Sequence, residues 1–270
     1  MLPAATRADL AAVRAHVRSE CGRACAAPRA DDELCDALAL AADEVCSNVL
    51  AHAYAGVPGP LTVDVAAERA AAGCAPGVVP RCCVAIADAG PPFDPTAAPL
   101  APAPSGPVAA RRPGGLGWLL VRASVERLAY ERVGRCNVVT FERRCGSAAH
   151  QSPPRPLSME ISIAHERDVT VVAVAGSLDA LTADALAEAM QAQVRAGRTR
   201  LVAALAGLEY TSSAGLRVLL ATVKDARARG GDLRVAAAQP RVQRVLALSG
   251  FTDVLRSYPD VPSAVASWAA

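Results

Sequence analysis

The feature that most constrains this sequence is a break near its middle. Residues 146–156 are polar, rich in proline and without hydrophobic periodicity, as linkers between domains are. All nine cysteines precede this break and none follows it. A chain of 270 residues is long enough for two domains that each bury a core. We therefore predict an N-terminal domain over residues 1–145, a linker over 146–157 and a second domain over 158–270.

The charge balance and hydropathy exclude several classes of partner. A formal charge of +2 and a charged fraction of 20% produce no field that would attract nucleic acid or an anionic membrane surface. The sequence has no charge-free run of about 18 apolar residues, which a membrane-spanning helix requires, and its first residues lack the pattern of an export signal. We therefore expect a cytoplasmic protein whose cysteines are reduced and mostly buried.

The hydrophobic pattern of the N-terminal domain begins with two helices and two strands. Apolar residues recur at intervals of three and four over residues 7–21 and again over 31–53, which predicts two helices. Strand-type runs occur at residues 61–65, 81–87, 128–130 and 137–142. The predicted order at the start of the chain is therefore helix, helix, strand, strand.

The second predicted helix carries a carboxylate and a carboxamide on one face. Glu44 and Asn48 are four residues apart, a spacing that places both side chains on the same side of a helix. A glutamate that accepts a proton and an asparagine oxygen that binds a hard cation suit metal-assisted phosphoryl transfer. With these two residues alone, a solvated polar stripe is the simpler explanation.

Two turns that contain glycine follow the strands at residues 61–65 and 81–87. Asp88 ends the second of these strands, and Gly90 lies in the next turn, where glycine lets the backbone approach a flat ligand. Residues 95–112 are mainly Ala, Pro, Ser and Gly, which indicates either a mobile lid or a disordered insertion. The glycine cluster at residues 114–117 then opens a helix, where backbone N–H groups either bind phosphate or form an ordinary helix start.

These three motifs, in this order, resemble the GHKL ATPase family, and specifically its branch of anti-sigma factor serine kinases. The helix over residues 38–54 is similar to the family's N box. Residues 88–95 are similar to its adenine-binding box, and residues 112–121 to its glycine-rich box. The resemblance covers residues 4–144 and implies a Bergerat-type ATP-binding fold of the α/β class.

The resemblance also implies roles for individual residues. Glu44 would be the general base, Asn48 would hold Mg²⁺ between the ATP phosphates, and Asp88 would accept the adenine amino group. Asn137 occupies a place where the wider superfamily often has a threonine near adenine. Phosphoryl transfer depends on charge neutralisation by a metal and on an oriented hydroxyl, which agrees with these roles. The implied ATP-binding residues are Asn48, Asp88, Gly90, Gly115, Gly117 and Asn137.

The second domain alternates strands and helices. We predict strands at residues 159–164, 169–175, 200–205 and 233–237. We predict helices at residues 182–196, 214–228, 240–248 and from 261 onward, with Thr182 as a candidate cap of the first. The alternation indicates an α/β layer with the helices against one face of the sheet.

Two serines lie at the centre of this domain, where a strand passes into a helix. Serine at such a place can simply cap the helix. Residues 158–268 also resemble the STAS domains of anti-anti-sigma factors, in which the phosphorylated serine lies two positions before a glycine. The resemblance implies Ser213 as the phosphoacceptor, with Ser212 as the alternative and Thr211 as a third candidate. Two positions that are often acidic in that family are Ala204 and Ser212 here.

Together the two resemblances imply an ATP-dependent protein serine kinase, fused to a domain of its own substrate class, that acts in partner-switching control of transcription. The implied cofactors are ATP and Mg²⁺, and the implied partners are a sigma factor, STAS-domain or kinase proteins, or a second copy of the chain in a homodimer. Fusion raises the effective concentration of Ser213 at Glu44 to roughly millimolar if the linker can span the two sites. The alternative is a non-catalytic, nucleotide-responsive binding protein that uses the STAS domain as a docking module.

Overall fold

The computed structural model describes five stretches of the chain, residues 1–24, 32–68, 81–97, 115–144 and 159–268. They form two compact units, the first mainly from residues 1–97 and 117–144 and the second mainly from 159–268. The predicted linker lies outside the described residues, as do Gly114 and most of the predicted lid. The domain boundaries therefore stay predictions.

The first unit packs helices against a five-stranded antiparallel sheet with strand order β1-β2-β3-β5-β4. Its elements are β1 (Leu2–Ala5), α1 (Leu10–Ala24), α2 (Asp32–Asn48), β2 (Gly59–Glu68), β3 (Arg81–Asp88), α3 (Leu116–Ser124), β4 (Arg127–Val133) and β5 (Cys136–Arg144). The predicted order of helix, helix, strand and strand is confirmed. Strand β1 was missed because four residues are too few to show an alternating pattern.

Periodicity explains which faces of these elements form the core. In α2, fully buried apolar residues recur at intervals of three and four, at Leu34, Leu38, Ala41 and Val45. In β3, alternate residues are buried, namely Cys82, Val84, Ile86 and Asp88. The core-facing side of β3 therefore ends in a carboxylate.

Helix α2 continues without a break into a π-helical turn, Val49–Ala53. The predicted helix does reach residue 53, but its last turn is wider than an α-helical one. The N–H group of Tyr54 donates to the carbonyl of Val49, five residues back, at 3.0 Å. Such wide turns often occur at functional sites. Here the widening begins directly after Asn48.

Six cysteines lie in the described stretches, and the structure shows no disulfide bond among them. Those that are buried are Cys21, Cys35, Cys46 and Cys82, and those that are half-buried are Cys83 and Cys136. Burial raises the pKa of the Cys46 thiol, and the negative charges of Asp43 and Asp88 raise it further. These six residues agree with the expectation of mostly buried thiols, and the other three cysteines lie outside the described residues.

The second unit is a five-stranded sheet with strand order β10-β9-β8-β7-β6, in which β6 is antiparallel to its neighbour and the other pairs are parallel. Its elements are β6 (Glu160–Glu166), β7 (Val169–Leu178), α4 (Ala183–Arg195), β8 (Arg200–Thr211), α5 (Ser213–Ala228), β9 (Asp232–Ala236), α6 (Pro240–Leu248), β10 (Arg256–Tyr258) and α7 (Val261–Ala266). All predicted elements are present, and the three-residue β10 was missed. In the parts of the chain that the structure describes, no helix is long and apolar enough to cross a membrane.

Both faces of this second sheet are covered, so the prediction of helices on one face is wrong. Residues 201–205 of β8 are all buried, although successive side chains of a strand point to opposite faces. Helix α7 packs through Ala264 on the face that carries Val202 and Ala204. The alternation of strands and helices does not specify the face on which the last helix returns, because that depends on packing.

The start of α4 also differs from the prediction. Thr182 precedes α4, but its backbone is helical and its side chain makes no cap hydrogen bond. Instead, Oδ1 of Asp179 accepts hydrogen bonds from the N–H groups of Leu181 at 2.9 Å and Thr182 at 3.1 Å. The Thr182 hydroxyl donates to the carbonyl of Ser177 at 2.9 Å. Asp179 therefore fixes the turn that leads into α4 by accepting the N–H groups of the two residues that precede the helix.

Candidate functional site

Helix α2 carries Glu44 into the interior of the first unit. The residue is 1% exposed, and its neighbour Asp43 is equally buried. Nη1 of Arg14 in α1 donates to Oδ1 of Asp43 at 2.6 Å and balances its charge. With Asp43 paired to α1, Glu44 is the carboxylate on the helix face that it shares with Asn48.

Asn48 lies one turn further along, where α2 begins to widen. Its Nδ2 atom is buried and has no hydrogen-bond partner within the described part of the chain. A buried polar group without a partner costs about 1–3 kcal/mol. A flip of the Asn48 side-chain amide would place Oδ1 where Nδ2 lies. Amide oxygens are ligands that Mg²⁺ accepts. Asn48 therefore fits the role of a ligand to a cation.

Helix α3 brings its first turn against these two side chains. It begins at Leu116, directly after Gly115, whose φ is +84°. A Cβ atom on Gly117 would lie 2.7 Å from Oε2 of Glu44 and 3.2 Å from Nδ2 of Asn48. The absence of a side chain allows this approach. The start of α3, where N–H groups without helical partners can bind phosphate, therefore lies beside Glu44 and Asn48.

Asp88 and Asn137 are paired across strands β3 and β5. They are 5% and 3% exposed, respectively. Oδ1 of Asp88 accepts hydrogen bonds from the N–H group of Gly90 at 2.8 Å and from Nδ2 of Asn137 at 2.9 Å. A Cβ atom on Gly90 would lie 2.6 Å from Cβ of Ala53, so glycine lets this turn pack against the end of the π-helical turn.

A cavity of about 290 Å³ lies among these residues. Asn48 from α2, Asp88 from β3 and Asn137 from β5 contribute its polar lining, together with His52. The rest of the lining is apolar or aromatic, namely Val45, Val49, Ala53, Pro91, Pro92, Phe93, Trp118 and Val139. An apolar chamber with a few converging polar groups is the usual form of a small-molecule site.

Three polar or aromatic residues of the lining were given no role in the site by sequence analysis, namely His52, Phe93 and Trp118. Phe93 and Trp118 form a tilted pair with ring centroids 6.0 Å apart. Both lie inside the recognised boxes, and their signal was the rarity of aromatic residues, which make up 3% of the chain. His52 is exposed and lines the cavity two turns after Glu44, so its helical spacing carried the signal.

Tyr54 was also missed, and it joins the end of α2 to two other segments. Its hydroxyl donates to the carbonyl of Pro60 at 2.6 Å and accepts a hydrogen bond from the N–H group of Ala89 at 2.8 Å. Desolvation raises the pKa of Tyr54. The bond to Ala89 connects segments 35 residues apart, so local patterns do not reveal it.

A metal site made by protein alone is absent from the described ranges, where no three His, Cys, Asp or Glu side chains cluster as metal ligands. A Mg²⁺ ion bound together with a nucleotide requires fewer protein ligands, because phosphate oxygens and water supply the others. The arrangement around Asn48 fits this second kind of site.

In the second unit, β8 runs into α5 at the predicted serines. Ser212 is the N-cap of α5, and its Oγ accepts a hydrogen bond from the N–H group of Ala214 at 3.2 Å. Ser213 is the first residue of α5. Ser213 is 4% exposed, and Ser212 and Thr211 are each 2% exposed. The three candidate hydroxyl groups therefore lie together, and all three are buried.

The turn after β7 supplies an acidic residue near these hydroxyl groups. Leu178 pairs with Thr211, and the N–H group of Ser212 donates to the carbonyl of Leu178 at 2.9 Å. Asp179 follows Leu178 directly and is 3% exposed. Ala204 is buried within β8, so an acid there would lie inside the sheet. Sequence analysis did not mark Asp179 because an aspartate in a turn has an ordinary conformational explanation.

Comparison with known proteins identifies both units. Residues 6–143, just over half of the chain, match the sequence model of the histidine kinase-like ATPase domain. The chain belongs to this family. Residues 160–264 match the STAS domain, so an ATPase domain is followed by a STAS domain. The predicted α/β class and the two predicted domain types are confirmed.

The STAS domain is similar to anti-sigma factor antagonists. It is 28% identical over 110 residues to the anti-sigma F factor antagonist of Paenibacillus polymyxa, an alignment that covers 40% of this chain and 94% of that protein. It is 37% identical over 67 residues to the anti-sigma-F factor antagonist RsfB of Mycobacterium tuberculosis, which covers 25% of this chain and 55% of that protein. A crystal structure of an anti-sigma factor antagonist from Mycobacterium paratuberculosis is 31% identical, with a TM-score of 0.40, over 42% of this chain and 96% of that one.

The two domain families and the similar proteins support two statements about function. The ATPase domain implies ATP binding, and ATP-dependent phosphotransfer is the activity that it suggests. Its combination with a STAS domain similar to anti-sigma factor antagonists supports a role in partner-switching regulation.

Proposed function

We propose that this protein is an ATP-dependent protein serine kinase of the partner-switching type, joined to a STAS domain of its own substrate class. The observation that carries the proposal is the packing of α3 on α2. The Cβ position of Gly117 lies 2.7 Å from Oε2 of Glu44 and 3.2 Å from Nδ2 of Asn48. A carboxylate, a carboxamide and a helix start therefore meet beside a cavity that also contains Asp88.

ATP would bind with its adenine at Asp88 and its phosphates at the start of α3. Both recorded hydrogen bonds of Asp88 use Oδ1, and within the described residues Oδ2 accepts none. Oδ2 would accept the adenine amino group, and Gly90 would leave room for the flat base. The backbone N–H groups at Gly115 and Gly117 would bind phosphate oxygens.

Asn48 would hold Mg²⁺ together with the phosphates. When bound, Mg²⁺ neutralises charge on the phosphates during transfer. Glu44, one turn before Asn48, would accept the proton of the attacking serine hydroxyl. The pairing of Asp43 with Arg14 would keep that second carboxylate from competing for the proton or the cation.

The phosphoacceptor would be Ser213, with Ser212 as the second candidate. A phosphate would add nearly two negative charges at the start of α5, where the helix dipole tolerates them. Ser213 is 4% exposed, so its hydroxyl must emerge before it can react. Phosphorylation would therefore open the junction between β8 and α5 and change the surface on which a partner docks.

The proposed partners are a sigma factor and STAS-domain or kinase proteins that bind one of the two domains in alternation. The similarity of the STAS domain to anti-sigma factor antagonists supports this choice. Transfer of the γ-phosphoryl group of bound ATP to Ser213, with Glu44 accepting the hydroxyl proton and ADP leaving, would occur within one chain or between the chains of a homodimer. We propose a cytoplasmic location and no direct contact with nucleic acid or membranes.

Incubation of the full chain with Mg²⁺ and ATP labelled at its γ-phosphate tests this function. We expect label on Ser213, loss of that label in Ser213→Ala and no change in Ser257→Ala, which alters an exposed serine of β10. Glu44→Ala should bind ATP and transfer phosphate at least about 100-fold more slowly. Absence of label on this chain and on an added STAS protein, despite ATP binding, would exclude kinase activity.

One observation favours a second function, that of a non-catalytic binding protein that responds to nucleotide. Thr211, Ser212 and Ser213 are all buried, and Ser212 is already used as a helix cap. In this case ATP would change the affinity of the chain for a protein partner, with the STAS domain as the docking module and without transfer of label. Pull-down of partners with and without ATP, combined with the labelling assay, distinguishes the two functions.

A further inference from the structure

We propose that Asn137, Arg132 and Tyr130 form a polar relay that makes the cavity select adenine over purines with a carbonyl at position 6. The inference rests on the proposed binding of ATP and adds to it the residues that orient Asp88. Sequence analysis placed Asn137 near adenine but did not mark Arg132 or Tyr130.

Asn137 lies between the carboxylate of Asp88 and two donors on β4. Its Nδ2 donates to Oδ1 of Asp88 at 2.9 Å. Its Oδ1 accepts hydrogen bonds from the hydroxyl of Tyr130 at 2.9 Å and from Nη1 of Arg132 at 2.7 Å. The amide therefore directs its donor group toward β3 and its acceptor group toward β4.

The partners on both sides prevent the amide from turning over. In the reversed orientation, Nδ2 would face the Arg132 guanidinium, which can only donate. Oδ1 would then face the carboxylate of Asp88, which would be a contact between two acceptors. Asn137 is 3% exposed, so water is not available to relieve either contact. The orientation of this amide is thus set by Arg132 and Asp88 together.

The relay also holds the turn that follows β3. Nη1 of Arg132 donates to the carbonyl of Gly90 at 3.0 Å, and Nδ2 of Asn137 donates to the carbonyl of Pro91 at 3.0 Å. Pro91 and Asn137 both line the cavity. The same contacts therefore position Asp88 and the wall next to it.

The selectivity for adenine follows from Oδ2 of Asp88, which accepts no hydrogen bond from the described residues. Its Oδ1 already accepts two hydrogen bonds, so Oδ2 is the acceptor available to a base. Adenine has an amino group at position 6, which donates, whereas hypoxanthine and guanine have a carbonyl there, which is repelled. Buried sites built for one donor reject an analogue without it, because their own polar groups are left unpaired. Without Arg132 and Tyr130, Oδ1 of Asn137 loses both of these donors, so the amide no longer fixes the Asp88 carboxylate and the preference for a donor at position 6 weakens.

Binding of ATP and of inosine triphosphate to the full chain with Mg²⁺ tests the relay, because inosine triphosphate carries a carbonyl in place of the amino group. We expect the wild type to prefer ATP. In the double variant Arg132→Met, Tyr130→Phe, the ratio of the two affinities should fall about tenfold, equivalent to about 1.4 kcal/mol. Arg132→Lys, which keeps a cationic donor, should retain most of the ratio. Arg127→Met, on the same strand but in contact with Glu142, is the matched control and should leave the ratio unchanged.

Two results would overturn the relay while leaving ATP binding intact. One is a double variant that unfolds at the wild-type temperature and keeps the wild-type affinity ratio. The other is an equal loss of affinity for both nucleotides, which would indicate a purely structural role. A wild-type chain that binds neither nucleotide would overturn both the proposed function and the relay that rests on it.

Discussion

Gly117 of α3 and Glu44 of α2 are packed so closely that a Cβ atom on the glycine would lie 2.7 Å from Oε2 of the glutamate. The atoms in the way are the ends of the Glu44 and Asn48 side chains, so an added methyl group would displace functional groups rather than backbone. We expect Gly117→Ala to slow phosphotransfer about 10- to 100-fold, because small displacements at a reacting centre are costly, with little change in thermal stability. Labelling assays and calorimetry measure the two effects.

Gly197→Ala is the matched control for that substitution. Gly197 lies in the STAS domain with φ +80° and open space around its Cβ position. Alanine there should lower stability by about 1 kcal/mol through backbone strain, without changing ATP affinity. A Gly117→Ala protein with full transfer activity would contradict the role of this close contact.

The second prediction is that removal of the Asn48 amide impairs Mg²⁺-dependent ATP binding without lowering stability. Its Nδ2 is buried without a partner in the described part of the chain. Asn48→Leu should therefore leave the free energy of unfolding unchanged or raise it by up to about 1 kcal/mol. The same variant should lose the Mg²⁺-dependent part of ATP affinity, as measured by calorimetric titration with Mg²⁺ and with EDTA. A large loss of stability would show that the amide has a structural partner.

The buried thiol of Cys46 should make the free energy of unfolding fall at high pH. Its pKa is raised above the ordinary thiol value of 9.0, mainly by burial. Below pH 9 the thiol is protonated in both the folded and the unfolded chain, and its contribution to stability is complete. As the pH rises further, the unfolded chain releases the proton and the folded chain retains it, so stability falls by about 1.4 kcal/mol per pH unit.

Urea unfolding between pH 8 and about pH 10.5 measures this dependence. Cys46→Ala should unfold more easily at every pH but with a shallower decline above pH 9. Val45→Ala, at the neighbouring and equally buried position, is the control. It should shift the whole curve without changing its slope, because no ionisable group is lost. Equal slopes for Cys46→Ala and the wild type would contradict the prediction.

The buried carboxylate of Asp179 should stabilise the STAS domain. This carboxylate accepts hydrogen bonds from the N–H groups of Leu181 and Thr182. Asp179→Ala would leave these donors without their partner and should lower the melting temperature of this domain, with a cost of about 1–3 kcal/mol. Asp184→Ala removes an exposed carboxylate one turn later and should cost less than about 0.5 kcal/mol. Calorimetry of the full chain checks both, and equal effects would argue against a stabilising role for the hydrogen bonds of Asp179.

The secondary structure and the two families were predictable because their signals are local. The spacing of Leu34, Leu38, Ala41 and Val45 defined the buried face of α2, and all four are buried. The strand-to-helix pattern around Ser212 and Ser213 identified the STAS domain, which residues 160–264 match. The short β1 and β10 carry too few residues for a pattern, and the face covered by α7 depends on packing.

For the candidate site, the amino-acid sequence alone specifies which chemical groups are available. It placed Glu44 and Asn48 one helical turn apart, an acidic residue at a strand end and glycines before a helix, because helix and strand periods decide which side chains share a face. Which of these groups come into contact depends on tertiary packing. The contact of Gly117 with Glu44, the pairing of Asp43 with Arg14 and the bonds of Asn137 join segments far apart in the chain. Such contacts depend on how helices and strands pack, which no local period encodes.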